Sequence, residues 1–374
     1  MTCQPVTLYG VPHSLYTGRA RSYLIKADIA YREQAPNTEH YQKTVVPLAG
    51  GRRGLPTLEC PDGRVIRDGA AIIDHFEEET GHRFSPKTPK HRFFSRLFDV
   101  IGAEGFLRPA MHYRWNFETE NLDYLNFHFE MLTPRGDVGV GMARKVADQM
   151  RRATVGFGVT PQTRDLVEQL YAEQLGALDR HFAAYPYVLG GRPCIGDFGL
   201  IAPLFGHLGR DPKPLSLMLT HGMHVFRWVE RMNRRDADLV EFGHQGETYL
   251  DADEIPNTLT DLLRVMAEDF VPETLAAADT INAWIAQQGD LAPGTECARA
   301  VGLAAFELRG TAIGAIAQPY RFYLLKRAQD AYAALEKDDQ QAVKTILDAC
   351  AMTPVLSATL TRGIGRKDNL EVWL

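Results

Sequence analysis

Three hydroxyl side chains lie close together near the start of the chain: Tyr9, Ser14 and Tyr16. Ser14 ends a turn-rich stretch from Gly10 and directly precedes a predicted helix, about Thr17 to Lys26. A hydroxyl beside the free N–H groups of a helix start can donate to an anion, and the helix dipole adds to that effect. Ser14 can equally satisfy backbone groups in its own turn, and either tyrosine can be an aromatic packed at a strand or helix end. Asp68-Gly69 precedes a second predicted helix, where the carboxylate can serve as an N-cap. Arg52 and Arg53 stand in a loop just before Pro56. The run Met111, His112, Tyr113, Arg114, Trp115 offers apolar walls with polar groups, the makeup of a small-molecule pocket or of a core. Two histidines, His221 and His224, fall short of a metal site, so no metal is expected.

These residues need elements to hold them. Val6 to Tyr9 reads as a buried strand, and the helix after it carries Ala20, Leu24 and Ala27 on one face. Ile29 to Glu33 offers a second strand, followed by an irregular basic stretch to Arg53. Two short runs, Leu55 to Glu59 and Arg64 to Ile66, flank Pro61-Asp62-Gly63, a hairpin turn in which Pro presets φ and Gly accepts positive φ. Ala71, Ile72, His75 and Phe76 then fall at helical spacing. The order is β-α-β, a long loop, then β-β-α. Beyond a linker at Pro86 to Pro89 the pattern is helical. Starts are expected at Thr160-Pro161, at Cys194-Ile195-Gly196-Asp197 and at Asn257, the last opening the stripe Leu259, Leu262, Leu263, Met266, Phe270. Residues from about 235 onward read as additional helices.

Composition narrows the function classes. A chain of 374 residues with 41 basic against 47 acidic side chains has a formal charge of -6, which argues against an extended nucleic-acid surface. Uncharged stretches such as Phe198 to Gly209 are far below the ~20 apolar residues of a membrane helix. No secretory signal is expected from MTCQPVTLYG. The 5 cysteines (Cys3, Cys60, Cys194, Cys297, Cys350) form no C-x-x-C pair, so neither a disulfide framework nor a zinc knuckle is expected.

Three patterns in order resemble the glutathione S-transferase superfamily: LYGVPHSLYTGRARSYL with KADIAY; GLPTLE with PDGRVIRDGAAIIDHFE; and RPCIGDFGLIAPLFGHL with RWVERMN. The run AMHYRW also looks like bacterial members. The resemblance covers roughly residues 5–235. It implies an α+β fold: a thioredoxin-like N-terminal domain, then an all-α domain with additional C-terminal helices. The expected divisions are 1–82, 90–235 and an extension, 236–374.

The resemblance also implies a site. Ungapped alignment puts Ser14 where zeta-like members carry Ser and omega-like members Cys, so Ser14 would donate to the glutathione thiolate, with Tyr16 and Tyr9 as alternatives. The lack of Cys there disfavours a mixed-disulfide mechanism. Pro56 would be cis, letting Leu55 pair with the cysteinyl moiety of glutathione. Asp68 would hold the γ-glutamyl ammonium, Gly69 replacing the usual hydroxyl residue beside it, and Arg52 or Arg53 would reach the glycyl carboxylate. Met111, His112, Tyr113 and Trp115 would wall the second-substrate pocket. Asp197 is expected to be structural. The resemblance thus implies a cytoplasmic homodimer that joins glutathione to an apolar electrophile such as an aryl halide, aryl ether or epoxide, or isomerises an unsaturated ketone. The alternative is a non-catalytic ligand-binding or protein-interaction module on the same fold.

Overall fold

Between Pro5 and Gly10 the residues Val-Thr-Leu-Tyr favour extended backbone and form β1 (Val6–Tyr9). The computed structural model describes residues 4–243, 245–289 and 291–374, so Cys3 lies outside the described residues. Ser14 caps α1 (Leu15–Lys26), its Oγ accepting from the Thr17 amide at 3.4 Å. β2 (Tyr31–Gln34) pairs parallel to β1. The stretch read as irregular contains a π-turn, Tyr41–Val45, running into the short α2 (Val46–Leu48); the Thr38 hydroxyl accepts from the Tyr41 amide at 3.2 Å and starts it. β3 (Thr57–Glu59) and β4 (Val65–Arg67) form the expected hairpin, with Gly63 at φ 85° in its turn. α3 (Gly69–Glu79) follows. Strand order β2-β1-β3-β4, with β3 antiparallel to β1, makes a thioredoxin-like sheet.

Eight helices follow: α4 (Pro89–Gly105), α5 (Leu107–Trp115), α6 (Glu118–Phe129), α7 (Asp137–Ala153), α8 (Arg164–Ala184), α9 (Ile195–Gly206), α10 (Pro212–His221) and α11 (Met223–Met232). None of the described helices is long and apolar enough to cross a membrane. α4 and α9 touch backbone to backbone. A Cβ on Gly102 would lie 2.3 Å from the Gly199 carbonyl carbon, and one on Gly199 would lie 2.5 Å from the Asp99 oxygen, so both positions require glycine. On its other side α9 meets α1, where a Cβ on Gly206 would lie 2.4 Å from Leu15 Cα. Asp197 is structural, as expected. Its Oδ2 accepts from the Cys194 amide at 2.9 Å, and its Oδ1 from the Val188 amide at 3.1 Å and the Trp228 indole at 3.0 Å.

The extension supplies the expected helices and adds two hairpins. α12 (Asn257–Gln287) starts where the sequence places it. β5 (Leu303–Leu308) and β6 (Thr311–Ile316) turn through Arg309-Gly310, both at positive φ. Then come α13 (Pro319–Ala333), α14 (Lys337–Ala349), and β7 (Ile364–Lys367) paired with β8 (Leu370–Trp373) through Asp368-Asn369, again both at positive φ. Such two-residue turns match the twist of antiparallel strands. Ion pairs bind the extension to the rest: buried Arg108 of α5 pairs with Asp269 and, at 2.6 Å, Glu273 of α12, and half-buried Arg327 of α13 pairs with Asp74 of α3; within the extension, Arg321 of α13 pairs with Glu273 at 2.5 Å.

Asp197→Ala leaves three buried donors without acceptors, and each such orphan costs about 1–3 kcal/mol. The expected loss is at least about 3 kcal/mol of unfolding free energy, read as a lower urea midpoint with unchanged slope.

Candidate functional site

Asp68 sits at the corner between β4 and α3 with φ 87°, a conformation that turns its carboxylate back over the helix start. Its amide donates to the Pro56 carbonyl at 3.0 Å, which ties this corner to the loop carrying the Leu55–Pro56 bond, and that bond is cis. Asp68 Oδ2 accepts from the Ala71 amide at 3.3 Å, the expected cap. Gly69 has a packing reason: a Cβ there would lie 3.3 Å from both the Tyr16 carbonyl oxygen and Arg19 Cδ, so a hydroxyl residue would crowd α1. Among the described residues, neither the amide nor the carbonyl of half-buried Leu55 has a hydrogen-bond partner.

Leu55, Pro56 and Asp68 line a cleft of about 420 Å³ together with Tyr16, Arg52 and Arg53. The rest of the lining was not anticipated. It comes from Glu104 at the end of α4, Met150 of α7, and the extension, which contributes Cys297, Arg299, Gln318, Tyr320 and Glu371. The extension also takes up groups that the sequence reading left free. Tyr320 donates its hydroxyl to Asp68 Oδ1 at 2.7 Å, and Arg366 Nη1 stands 3.8 Å from Asp68 Oδ2. Arg52 is paired with Glu296, donates to the Cys297 carbonyl at 2.6 Å, and lies 3.5 Å from Glu371. The buried Glu371 also accepts from Arg67 at 2.9 Å and Arg366 at 2.6 Å. Exposed Arg53 and Arg299 have no ion-pair partner among the described residues.

The three hydroxyls part company. Tyr16 lines the cleft and points its hydroxyl at Glu104 Oε1, 3.4 Å away; burial, then the neighbouring Glu104 and Asp68 carboxyls, push its phenol well above the ordinary value. Half-buried Ser14 caps α1 and is not part of the cleft wall. Tyr9 is buried against Tyr41 at a ring distance of 4.8 Å and donates to Glu59 Oε2 at 2.8 Å, away from the cleft. Burial, and the hydrogen bond to Glu59 after it, push the Tyr9 phenol up.

Glu104 is the residue sequence reading missed. Burial pushes its carboxyl up to about 7, aided by Glu273 and opposed chiefly by Arg321. Oε2 is buried without a partner among the described residues. A single Glu near a helix end carries no sequence signal for this, because the groups that bury it lie on α1, α12 and α13.

Met111, His112, Tyr113 and Trp115 lie on buried α5 outside the cleft. Met111 and Trp115 belong to a small apolar core with Leu125 and Phe129, and Tyr113 stacks on Phe117. His112 bonds Glu168 at 2.9 Å through Nε2 and Asn116 at 2.9 Å through Nδ1, and burial lowers its pKa. Among the described residues no group of three or more His, Cys, Asp or Glu is placed to hold a metal, and Cys60, Cys194, Cys297 and Cys350 are free and buried.

The sheet, its cis-proline loop and the helical domain behind them define a glutathione S-transferase-like fold. Residues 8–84 match the family model described as "Glutathione S-transferase, N-terminal domain". Comparison with curated protein sequences gives no match. Similar solved structures include the glutathione transferase GSTFuA3 from Phanerochaete chrysosporium, at 16% identity over 63% of this chain and 98% of that one, TM-score 0.45. The β-etherase LigF from Sphingobium sp. strain SYK-6 is similar at 14% identity over 63% and 97%, TM-score 0.45. A glutathione S-transferase from Methylobacterium radiotolerans, in complex with glutathione sulfonate, is similar at 16% identity over 66% and 99%, TM-score 0.38. At such identities and scores the likeness says nothing about substrate.

The raised Glu104 carboxyl has a consequence for stability. From its ordinary 4.5 up to about 7 the folded chain holds a proton the unfolded chain has lost, so this group's contribution falls as pH rises through that window. The unfolding free energy of Glu104→Gln relative to the unaltered chain, from urea melts, should therefore rise between pH 4.5 and 7 by up to about 3 kcal/mol and level off above it. A flat difference would refute the assignment.

Proposed function

We propose that the cleft binds glutathione and activates its thiol for attack on an apolar electrophile. The observation that carries this reading is the unpaired backbone edge of Leu55, held open by the cis Pro56 peptide in a cleft that a tyrosine hydroxyl also lines. An antiparallel pair of hydrogen bonds to Leu55 would hold the cysteinyl moiety. Arg53, exposed and without an ion partner among the described residues, is better placed than Arg52 to take the glycyl carboxylate. Tyr16 is favoured over Ser14 and Tyr9 as the thiolate donor, since it is the one of the three in the cleft wall. Its raised phenol keeps the proton it would donate. Asp68 would take the ammonium group only by sharing its carboxylate with Tyr320, so affinity should be weak, near about 1 mM or -4 kcal/mol. The three-part division at 1–82, 90–235 and 236–374, a cytoplasmic location and a homodimer belong to the same reading. The wall provided by Glu104, Met150 and the extension replaces α5 as the place for the second substrate.

A second reading, a non-catalytic ligand-binding module, draws on one observation: the extension already occupies Asp68 and Arg52.

Calorimetric titration with glutathione tests the first reading, and no heat well above millimolar concentration would sink it. With an aryl halide as second substrate, Tyr16→Phe should lower turnover at least about tenfold while binding persists, and Ser14→Ala should change little. The opposite ranking would return the donor role to Ser14. Binding without turnover on aryl halides, aryl ethers, epoxides or unsaturated ketones would favour the module.

A further inference from the structure

Glu104 stands in the cleft wall with no chemical step assigned to its carboxyl group. It is 2% exposed, ends the helix that meets α1 and α13, and shares the cleft with Tyr16, Leu55 and Asp68. One oxygen, Oε1, faces the Tyr16 hydroxyl; the other, Oε2, is buried with no partner among the described residues. The cations nearest to it are already committed elsewhere. Arg19 of α1 is ion-paired with Asp99, and Arg321 of α13 with Glu273 of α12 at 2.5 Å, while Arg321 touches Glu104 only at its backbone oxygen, at 3.4 Å. Tyr16 and Glu273 are the remaining titratable groups around it: the Tyr16 hydroxyl favours the ionised carboxylate, and the Glu273 charge disfavours it. A buried acceptor oxygen with no donor, at the wall of a ligand cleft, is an unusual cost for a fold to carry.

We propose that Glu104 is the base that takes the proton from the thiol bound in this cleft. This rests on the reading that the cleft binds glutathione. In the step, the S–H bond breaks, its electron pair stays on sulfur, and the proton forms an O–H bond on the Glu104 carboxyl group. Tyr16 keeps its own proton and turns it from Glu104 toward the thiolate. Net charge in the cleft is unchanged, because the negative charge moves from oxygen to sulfur. The alternative, loss of the thiol proton to solvent, would set a thiolate beside an ionised Glu104 in a buried site, and like charges at that range repel strongly. A carboxyl held near 7 is also matched to its task, basic enough to accept a proton at neutral pH and acidic enough to return it to a leaving group or to water.

The unaltered protein provides the decisive measurement. At pH ~8, above the about 7 of the Glu104 carboxyl, glutathione is titrated while thiolate absorbance is followed in the ultraviolet. Protons released are counted by calorimetry in buffers of different ionisation enthalpy. The expected result is thiolate absorbance with almost no proton released per glutathione bound. Thiolate with one full proton released overturns the proposal, and so does binding with no thiolate signal. Failure to bind at all removes the underlying reading instead. For Glu104→Gln the expectation is retained binding, turnover reduced by about 10²–10³, and loss of the limb near 7 from the pH profile of kcat/KM. Glu104→Asp should keep the limb at a reduced rate. An unchanged profile in Glu104→Gln, or an unchanged rate in Glu104→Asp, overturns the assignment.

Discussion

The contact on which the rest depends is the backbone-to-backbone approach of α4 and α9 at Gly102 and Gly199. Side chains of ordinary size would hold two helices 8–10 Å apart, and here there is room for none. Because α9 is also pressed against α1 at Gly206, the three helices form one layer in which α1 and α4 come within ion-pairing reach. Arg19 of α1 and Asp99 of α4 are sealed between them at 1% and 2% exposure, a pair that can exist only if both charges meet. The same spacing brings Tyr16, one turn before Arg19, to Glu104, just over one turn after Asp99. The ion pair and the hydroxyl–carboxyl contact are two rungs of one ladder, the first structural and the second open to the cleft.

The extension finishes what that layer begins. α13 lays Arg321 and Arg327 against α12, α3 and α4, and its first turn delivers Tyr320 to Asp68. Glu371 on β8 collects the guanidinium groups of Arg52, Arg67 and Arg366 at 5% exposure. Such a cluster is secure only while all its members are present, since a buried carboxylate deprived of its cations, or cations deprived of their carboxylate, costs several kcal/mol. A ligand that competes for Asp68 therefore works against Tyr320, and by reciprocity whatever loosens the extension alters the ligand's affinity by the same factor.

Local chemistry was legible and long-range chemistry was not. The Pro61-Asp62-Gly63 turn, the caps at Ser14 and Asp68, and the helix starts at Cys194 and Asn257 all depend on residues a few positions apart, and each falls where the sequence places it. The hairpins β5–β6 and β7–β8 did carry a local signal. Arg309-Gly310 and Asp368-Asn369 are pairs suited to positive φ between short extended runs, a signal outweighed by the helical pattern around them. The cleft is another matter. Tyr320 meets Asp68 across 252 residues and Glu104 meets Tyr16 across 88, and no periodicity encodes either meeting. Arg52 looked free because its partners, Glu296 and Glu371, are ordinary surface-type residues until the chain folds.

The link between Arg67 and Asn369 spans 302 residues, and that length is also a length of time. A ribosome adding roughly 5–20 residues per second needs on the order of 15–60 s to travel from one to the other. Throughout that interval the Arg52, Arg67 and Asp68 edge lacks the partners that β7 and β8 will bring. The newborn domain thus passes through a stage with an open, charged face, and it acquires its mature wall only when the distant hairpin arrives. Small molecules and chaperones present during synthesis meet a different surface from the one that the finished chain displays.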